Sequence, residues 1–390
     1  MAARTPSRPK PIEPATTDTA GFVGLALKGP IGKATFIASF ADFERIYGGL
    51  DPLRLKEPDR SKLSAAKKIN YLAHSVEAFF KNGGSRLFVS RVLEGDGCEP
   101  TASSFAAALS ALDRVEAVAI VAAPGSSIFN DGDAIAEELV RHVQRPRAYR
   151  VAVLEWPPAV TGRNAKEVRT KIDSSYAAFY GPWIYVPQPD ARAQNTKAAQ
   201  TVLVPPSGFV CGIYARNDHQ RGVSKAPVNE AVLGAVGLER TIKPAEQRTL
   251  DASGINSLRI FPRQGLRVWG ARAATSDPEW KYINIRRYAA YLEHSIDRGT
   301  QFAVFEDNGP GLWNAVQATI TDFLFNEWKN GGLLGRKPEQ AYFVRCDRTT
   351  MTENDLDNGR LICLIGVAVV KPAEFVIIRI QQMTAERKPS

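Results

Sequence analysis

Trp280-Lys-Tyr-Ile-Asn-Ile-Arg-Arg-Tyr-Ala-Ala-Tyr-Leu-Glu-His-Ser-Ile-Asp297 opens the part of the chain whose pattern decides the fold. Its apolar positions Ile285, Tyr288, Ala289, Leu292 and Ile296 recur at the spacing of an amphipathic helix, and Gly299 stops it. Gln301-Phe-Ala-Val-Phe-Glu306 is too short for a helix and rich in β-formers, so a buried strand is expected there. Asn308 stands where it can cap a second helix, Pro310 suits the first turn, and Gly331-Gly332 ends it. Trp313, Val316, Ile320, Phe323, Leu324 and Trp328 form one broad apolar stripe along that helix, and Ala341-Tyr-Phe-Val-Arg-Cys346 reads as a second strand. Helices of this kind must pack on a sheet to bury their stripes.

Residues 101 to 188 alternate between helical and β-rich segments. Helices are expected at Ser103–Leu112, Asp133–Gln144 and Asn164–Asp173, and strands at Ala117–Ala123, Tyr149–Glu155 and Ala178–Val186. Successive βα units call for a mostly parallel sheet covered on both faces. Upstream, Gly21–Leu27 and Ala34–Ala38 read as strands that pair with each other, Asp42 as the cap of a short helix through Tyr47, Lys62–Lys81 as a longer helix and Arg86–Val92 as a strand. Residues 187 to 204 read as a polar connector, and Ser207–Arg216 and Arg259–Arg272 as further strands. Arg360–Val370 and Phe375–Gln381, turned by Lys371-Pro372-Ala373, read as a terminal hairpin followed by a basic tail.

A chain of 390 residues with 44% hydrophobic and 23% charged residues is globular in composition and long enough for two or three domains. No apolar run is long enough to cross a bilayer, and the N-terminus lacks the apolar core of a secretory signal, so synthesis and folding in the cytosol are expected. Residues 1–19 carry Pro6, Pro9, Pro11 and Pro14 and little that is apolar, which predicts an extended arm. The net charge of +9 is spread along the chain without a nucleic-acid-binding module. The scattered cysteines Cys98, Cys211, Cys346 and Cys363 indicate neither a disulfide framework nor a zinc site.

Several of these segments resemble contractile tail sheath proteins, the family that sheathes contractile phage tails, R-type pyocins and extracellular contractile injection systems. The resemblance is carried by Asp277-Pro-Glu-Trp-Lys-Tyr-Ile-Asn-Ile-Arg-Arg287, Val304-Phe-Glu-Asp-Asn308, Leu312-Trp313 and Asp357-Asn-Gly-Arg-Leu361. It extends upstream through Pro205–Asp218, Lys225–Glu230, Arg267–Arg272, Gly21–Pro30 and Ala78–Gly84, in family order. It implies an α/β fold, α+β in parts: a two-layer C-terminal sheath domain, a subtilisin-like central α/β region and extended terminal arms. The corresponding division is an arm over 1–19, the N-terminal part of the core over 20–95, the central region over 96–275, the sheath domain over 276–381 and a tail over 382–390. It further implies a structural subunit that polymerises helically around an inner tube and contracts to drive the tube through a target envelope. The implied partners are further copies, the inner tube protein, baseplate and tail terminator or cap proteins, and paralogous sheath subunits; no nucleic acid or membrane insertion is implied. Such particles are assembled in the bacterial cytoplasm as phage tails or phage-tail-like particles and can be released. Family members open with a Pro-Gly-Val-Tyr-like strand where this chain has Met1-Ala-Ala-Arg-Thr5, so either the arm links differently or the chain is a sheath isoform.

The competing reading, a hydrolase or nucleotide-dependent enzyme of the central region, meets the wrong residues. Gly29-Pro-Ile-Gly-Lys33 lacks the first glycine of a phosphate loop, where Leu27 stands, and the magnesium-ligating hydroxyl, where Ala34 stands. His74, His142, His219 and His294 each lack a second ligand at helical spacing and read as two helix-face and two surface histidines. No serine lies in a nucleophile-elbow context. No catalytic, cofactor or metal residue is therefore assigned. Two assembly surfaces are expected instead: Phe375, Val376, Ile377, Ile378, Arg379 and Ile380 as an inter-subunit strand, and Lys329, Arg336 and Lys337 as an inner-tube contact.

Overall fold

The computed structural model describes residues 11–53, 68–93, 99–159, 167–188 and 201–372. The β-rich runs up to Trp269 divide between two sheets. Strands β1 (Ala20–Gly24), β2 (Ala34–Ile37), β3 (Leu87–Arg91), β4 (Ile120–Ala122), β5 (Val151–Glu155) and β6 (Ala177–Gly181) belong to the larger one. Strands β7 (Ile184–Pro187), β8 (Thr201–Val204) and β9 (Gly237–Leu238) form a separate antiparallel sheet in the order β8-β7-β9. Strands β10 (Ile255–Phe261) and β11 (Gly265–Trp269) complete the large sheet, of eight strands in the order β11-β10-β6-β5-β4-β1-β3-β2. The inner strands are parallel and only the edge strands β2 and β11 are antiparallel. Every residue of β1, β5 and β6 is buried, as strands covered on both faces require.

Helices α1 (Phe40–Tyr47), α2 (Tyr71–Lys81), α3 (Ala102–Leu112), α4 (Gly132–Val143) and α5 (Ser207–Arg221) supply those covers. Leu72, Val76 and Phe79 of α2 join Phe209, Ile213 and Tyr214 of α5 against one face of the sheet. Phe105, Leu109 and Leu112 of α3 and Ile135, Leu139 and Val143 of α4 cover the other. After α6 (Pro244–Ala252), the C-terminal part is built from α7 (Ile283–Gly299), α8 (Pro310–Lys329), α9 (Pro338–Ala341), strand β12 (Tyr342–Arg345), α10 (Glu353–Asp357) and strand β13 (Leu364–Val367).

Several sequence expectations are corrected. Ser207–Arg216 is helical, not a strand: ten of the residues of α5 are buried, and a run apolar on all sides does not distinguish a buried helix from a buried strand. Gly208 and Gly212, one turn apart, let α2 approach closely, since a Cβ at Gly208 would stand 2.5 Å from the Ser75 carbonyl oxygen and one at Gly212 2.4 Å from that of Phe79. Strands β1 and β2 do not pair, because β3 lies between them as the partner of both. Gln301–Ala303 is a 3-10 turn, and Val304 and Phe305 after it are exposed, since β-rich composition makes no strand where no neighbouring strand offers a ladder. The expected strand over 178–186 is split at Pro182, which has no N–H for a ladder. The cap of α1 is Ser39, whose hydroxyl accepts from Asp42 N–H. Asn308 does not cap α8; Gly309 takes that place, while Asn308 accepts from the Trp313 indole at 2.7 Å and donates to the Arg360 carbonyl. The helix expected from Lys62 starts, within the described residues, at Tyr71 under an Asn70 cap.

Helix α7 joins the two parts of the molecule. Tyr288 and Leu292 face α8 and pack with Trp313, Val316, Ile320 and Phe323. Its other side is polar, yet buried. Arg287 makes a bidentate pair with Asp218 of α5 and also donates to the Thr17 carbonyl at 3.0 Å, with its guanidinium 4.6 Å from the Tyr214 ring centre. Burial opposes the Arg287 charge, but the Asp218 carboxylate together with Tyr214 and Tyr180 pushes the guanidinium pKa up, while burial pushes the Asp218 carboxyl up as well. Asn284 donates to the Ser224 carbonyl, Arg286 lies between the rings of Tyr176 and Trp280, and His294 meets Glu116 while stacked on Tyr149. The arm expected over residues 1–19 is tied down from residue 11: Ile12 packs against Gly299, Ala15 N–H donates to the Ser295 hydroxyl at 2.9 Å, and the Thr19 carbonyl accepts from Ala119 N–H.

A buried ion pair stripped of one partner leaves an uncompensated charge in a low-dielectric interior. Arg287→Met is therefore expected to cost roughly 3–5 kcal/mol of stability, and the double change Arg287→Met with Asp218→Leu to recover much of it. Urea denaturation monitored by fluorescence checks both, and a double variant no more stable than Arg287→Met contradicts the assignment.

Candidate functional site

The C-terminal part carries a two-stranded sheet whose outer edges are unpaired among the described residues. Strands β12 and β13 are antiparallel, with Tyr342 opposite Val367, Phe343 opposite Gly366, Val344 opposite Ile365 and Arg345 opposite Leu364. Tyr342 and Val344 turn inward to the α7–α8 core and Phe343 and Arg345 outward, the alternation of a strand with one buried face. Phe343 lies across Gly366, filling the space a side chain would take. The hairpin expected between 360–370 and 375–381 has its second half outside the described residues; within them β13 pairs with β12 instead. Cys346 N–H donates to the Gln317 side chain of α8, Leu334 N–H to the Ala368 carbonyl, and Ala368 N–H to the Ala341 carbonyl, which fixes the sheet on α8.

Beside β13 an apolar groove of about 1130 Å³ opens between α7, α8 and the segment 359–367. Leu292, Ile296, Val316 and Leu324 line it from the helices, and Ile365 and Val367 from β13, with the exposed Val304 and Phe305 at its border. Ala289 and Ile296, expected in the buried stripe of α7, are only half-buried because they face this groove. Leu364 and Ile365 of the edge strand are exposed as well. Phe375, Val376, Ile377, Ile378, Arg379 and Ile380, the expected inter-subunit strand, lie outside the described residues.

The other expected surface is at the far end of α8. Lys329 is in its last turn and Arg336 and Lys337 are in the turn that follows, all exposed and without an ion pair among the described residues. Trp328 Nε1 donates to the Gly335 carbonyl at 2.9 Å, folding this turn back on the helix end, and Phe325 and Leu334 stand exposed beside it. Inside the domain, Tyr288 and Tyr291 of α7 donate to the two carboxylate oxygens of Glu327, at 2.9 and 2.8 Å, and lock the helix pair behind the basic turn.

The polar clusters of the central region are sealed. Glu155, at the end of β5, accepts from Gly125 N–H and the Ser127 hydroxyl on one oxygen and from the Ser207 hydroxyl, at 2.8 Å, on the other. Both Ser207 and Glu155 are buried, and burial pushes the carboxyl up to about 7. The histidines all lie on helices; three are buried and only His219 is exposed, where two surface histidines were expected. His142 meets Arg150 through Nε2 at 2.9 Å, with Asp113 at 3.2 Å from Nδ1. Burial pushes His74 and His142 down to about 4, so both are neutral at pH 7. Among the described residues no His, Cys, Asp and Glu side chains cluster as metal ligands, and no helix is long and apolar enough to cross a membrane.

Family models divide the chain in two. The phage tail sheath protein central domain matches residues 99–274 and the phage tail sheath C-terminal domain residues 275–383. A protein assigned as the major tail sheath protein of a Pseudomonas aeruginosa (strain UCBPP-PA14) prophage is 22% identical over 215 residues, 53% of this chain and 53% of that protein. The tail sheath protein of Burkholderia phage BcepMu is 25% identical over 195 residues, 48% of this chain and 40% of that protein. The chain thus spans about half, or less, of the length of the curated relatives it matches. Among solved structures, the helical sheath of the anti-feeding prophage in its contracted state is similar with a TM-score of 0.78 at 26% identity, covering 98% of each chain. The contracted sheath complex of PVC, an extracellular contractile injection system, gives a TM-score of 0.78 at 26% identity over 99% of this chain and 98% of that one. The mixed α/β architecture is that of sheath subunits, and the chain belongs to the contractile tail sheath protein family.

The sealed carboxyl gives a pH test. Folding raises Glu155 from an ordinary 4.5 to about 7, so its contribution to stability is present below the unfolded value and is lost as pH rises through about 7. Glu155→Gln keeps the group neutral and is expected to gain on the order of 3 kcal/mol relative to the parent between acidic and mildly alkaline pH. Melting curves of both proteins across that range check it; a difference that does not change with pH contradicts it.

Proposed function

We propose that the chain is the structural sheath subunit of a contractile phage tail or phage-tail-like injection system. It polymerises helically around an inner tube and contracts to drive that tube through a target envelope. The observation that carries this reading is the β12–β13 edge, open among the described residues, beside the apolar groove. An unpaired strand edge next to uncovered apolar surface is satisfied by a strand from another chain, and a contact between two different patches continues as a helix rather than closing as a dimer. The resemblance to contracted helical sheaths over nearly the whole chain supports it. Partners on this reading are further copies, an inner tube protein, baseplate and terminator or cap proteins, and paralogous sheath subunits. Assembly takes place in the bacterial cytoplasm, before the particle is used or released. The division into arm, N-terminal core, central region, sheath domain and tail given above is part of the proposal.

The segment Phe375–Ile380 is our candidate for the donated strand. In extended conformation Val376, Ile378 and Ile380 share one apolar face, suited to the groove, while Phe375, Ile377 and Arg379 share the other. Deleting Phe375 to Ser390 is expected to abolish tube formation seen by electron microscopy while the subunit stays folded by circular dichroism. Tubes at normal yield from the truncated chain contradict the donated strand.

Lys329, Arg336 and Lys337 are proposed to face the inner tube. Each exposed charge contributes only ~0–1 kcal/mol, but repetition along the sheath multiplies a weak contact. Reversing all three charges is expected to weaken co-assembly with tube protein and flatten its dependence on salt without lowering the melting temperature. An unchanged salt dependence places the tube contact elsewhere.

A further inference from the structure

Cys346 and Cys363 are far apart in the sequence and adjacent in the fold. The β12–β13 register that sets Arg345 opposite Leu364 sets Cys346 opposite Cys363 at the next position. The type of pair follows from the ladder. Ala368 N–H donates to the Ala341 carbonyl directly across from it, so that pair is hydrogen-bonded, and antiparallel alternation makes the pairs of Tyr342, Val344 and Cys346 the non-hydrogen-bonded ones. Cys346 N–H accordingly turns to Gln317 rather than to Cys363. In a non-hydrogen-bonded pair the two Cα atoms are about 4.5 Å apart and the side chains are at their closest, inside the range a disulfide spans. The two thiols are in hydrogen-bonding contact, and both are free.

We propose that Cys346 and Cys363 are a redox-responsive pair that closes to a disulfide when the protein meets a disulfide oxidant such as oxidised glutathione. Cys363 is half-buried and lines the groove, whereas Cys346 is buried, which sets the order of events. The Cys363 thiolate attacks one sulfur of the oxidant, forming a mixed disulfide and releasing one glutathione thiolate. The Cys346 thiolate then attacks the Cys363 sulfur and expels the second. Two protein thiols lose two protons and two electrons, and the oxidant becomes two glutathione thiols. Burial pushes the Cys363 thiol up to about 12, so little thiolate is present at neutral pH and closure is slow. The bond closes the loop 347–362, which contains α10, and staples the strand pair beside the groove. A reducing cytosol keeps the pair open during assembly.

The test uses the full chain, folded, incubated with oxidised glutathione, then alkylated, digested and analysed by mass spectrometry. A peptide linking Cys346 to Cys363 is expected, reversed by reductant, with an initial rate rising about tenfold per pH unit below the thiol pKa. The oxidised protein is expected to melt a few degrees higher, and Cys346→Ser or Cys363→Ser to lose both the link and the shift. Full alkylation of both cysteines after oxidant treatment overturns the proposal, as does linkage only in denatured protein or to Cys98 or Cys211.

Discussion

The Arg287–Asp218 pair is the contact that the rest of the arrangement leans on. Two opposite charges are removed from water between α5 and α7, and neither can be exposed or separated without leaving the other unsolvated. The pair also holds the Thr17 carbonyl, so one guanidinium ties the central sheet, the C-terminal helices and the N-terminal strap together. With Tyr214 and Tyr180 behind it, hydroxyl to hydroxyl at 2.7 Å, the site is buried and aromatic, where a misplaced charge costs most. Helix α7 is consequently used on both sides: a polar face whose every large group has a specific partner, and an apolar face built into the α8 core.

How much of this the sequence shows depends on what kind of signal each element leaves. The α7 and α8 stripes are legible because an amphipathic helix records its buried side as a period, and the parallel core because βα alternation implies it. Arg286, Arg287, His294 and Ser295 left no such signal: a buried charge looks like a surface charge until its partner, here about seventy residues upstream for Arg287, is placed in space. Helix α5 was hidden by the opposite effect, since burial on all sides erases periodicity; the Gly208–Gly212 spacing and the stop at Gly222 were the available clues. Residues 11–19 read as a tail because Ile12 and Ala15 are small apolar signals among prolines, and beyond the Ile12 side chain on Gly299 much of their anchoring comes from backbone groups that any sequence possesses. The basic character of the turn after α8 is legible in its residues, whereas its shape, set by the Trp328 indole, is not.

A two-stranded sheet is marginal alone, and here it is held by α8 on one face while, among the described residues, its edge and the neighbouring groove stay uncovered. A monomer that ends its existence as a monomer protects such an edge with charge, proline or a covering loop. Leu364 and Ile365 do the reverse. On the proposed reading another chain supplies the missing strand, and with donor and acceptor on different parts of the subunit each copy would satisfy one neighbour and be satisfied by another.

Completion of this edge by a neighbouring subunit can be seen directly. Cryo-electron microscopy of tubes assembled from the chain resolves it, by tracing the density beside Leu364–Val367 and in the groove between α7 and α8. An extended strand is expected there, connected to a different subunit and running along β13. Tubes in which the β13 edge faces solvent and the groove is empty, or is filled by the same subunit alone, would contradict it.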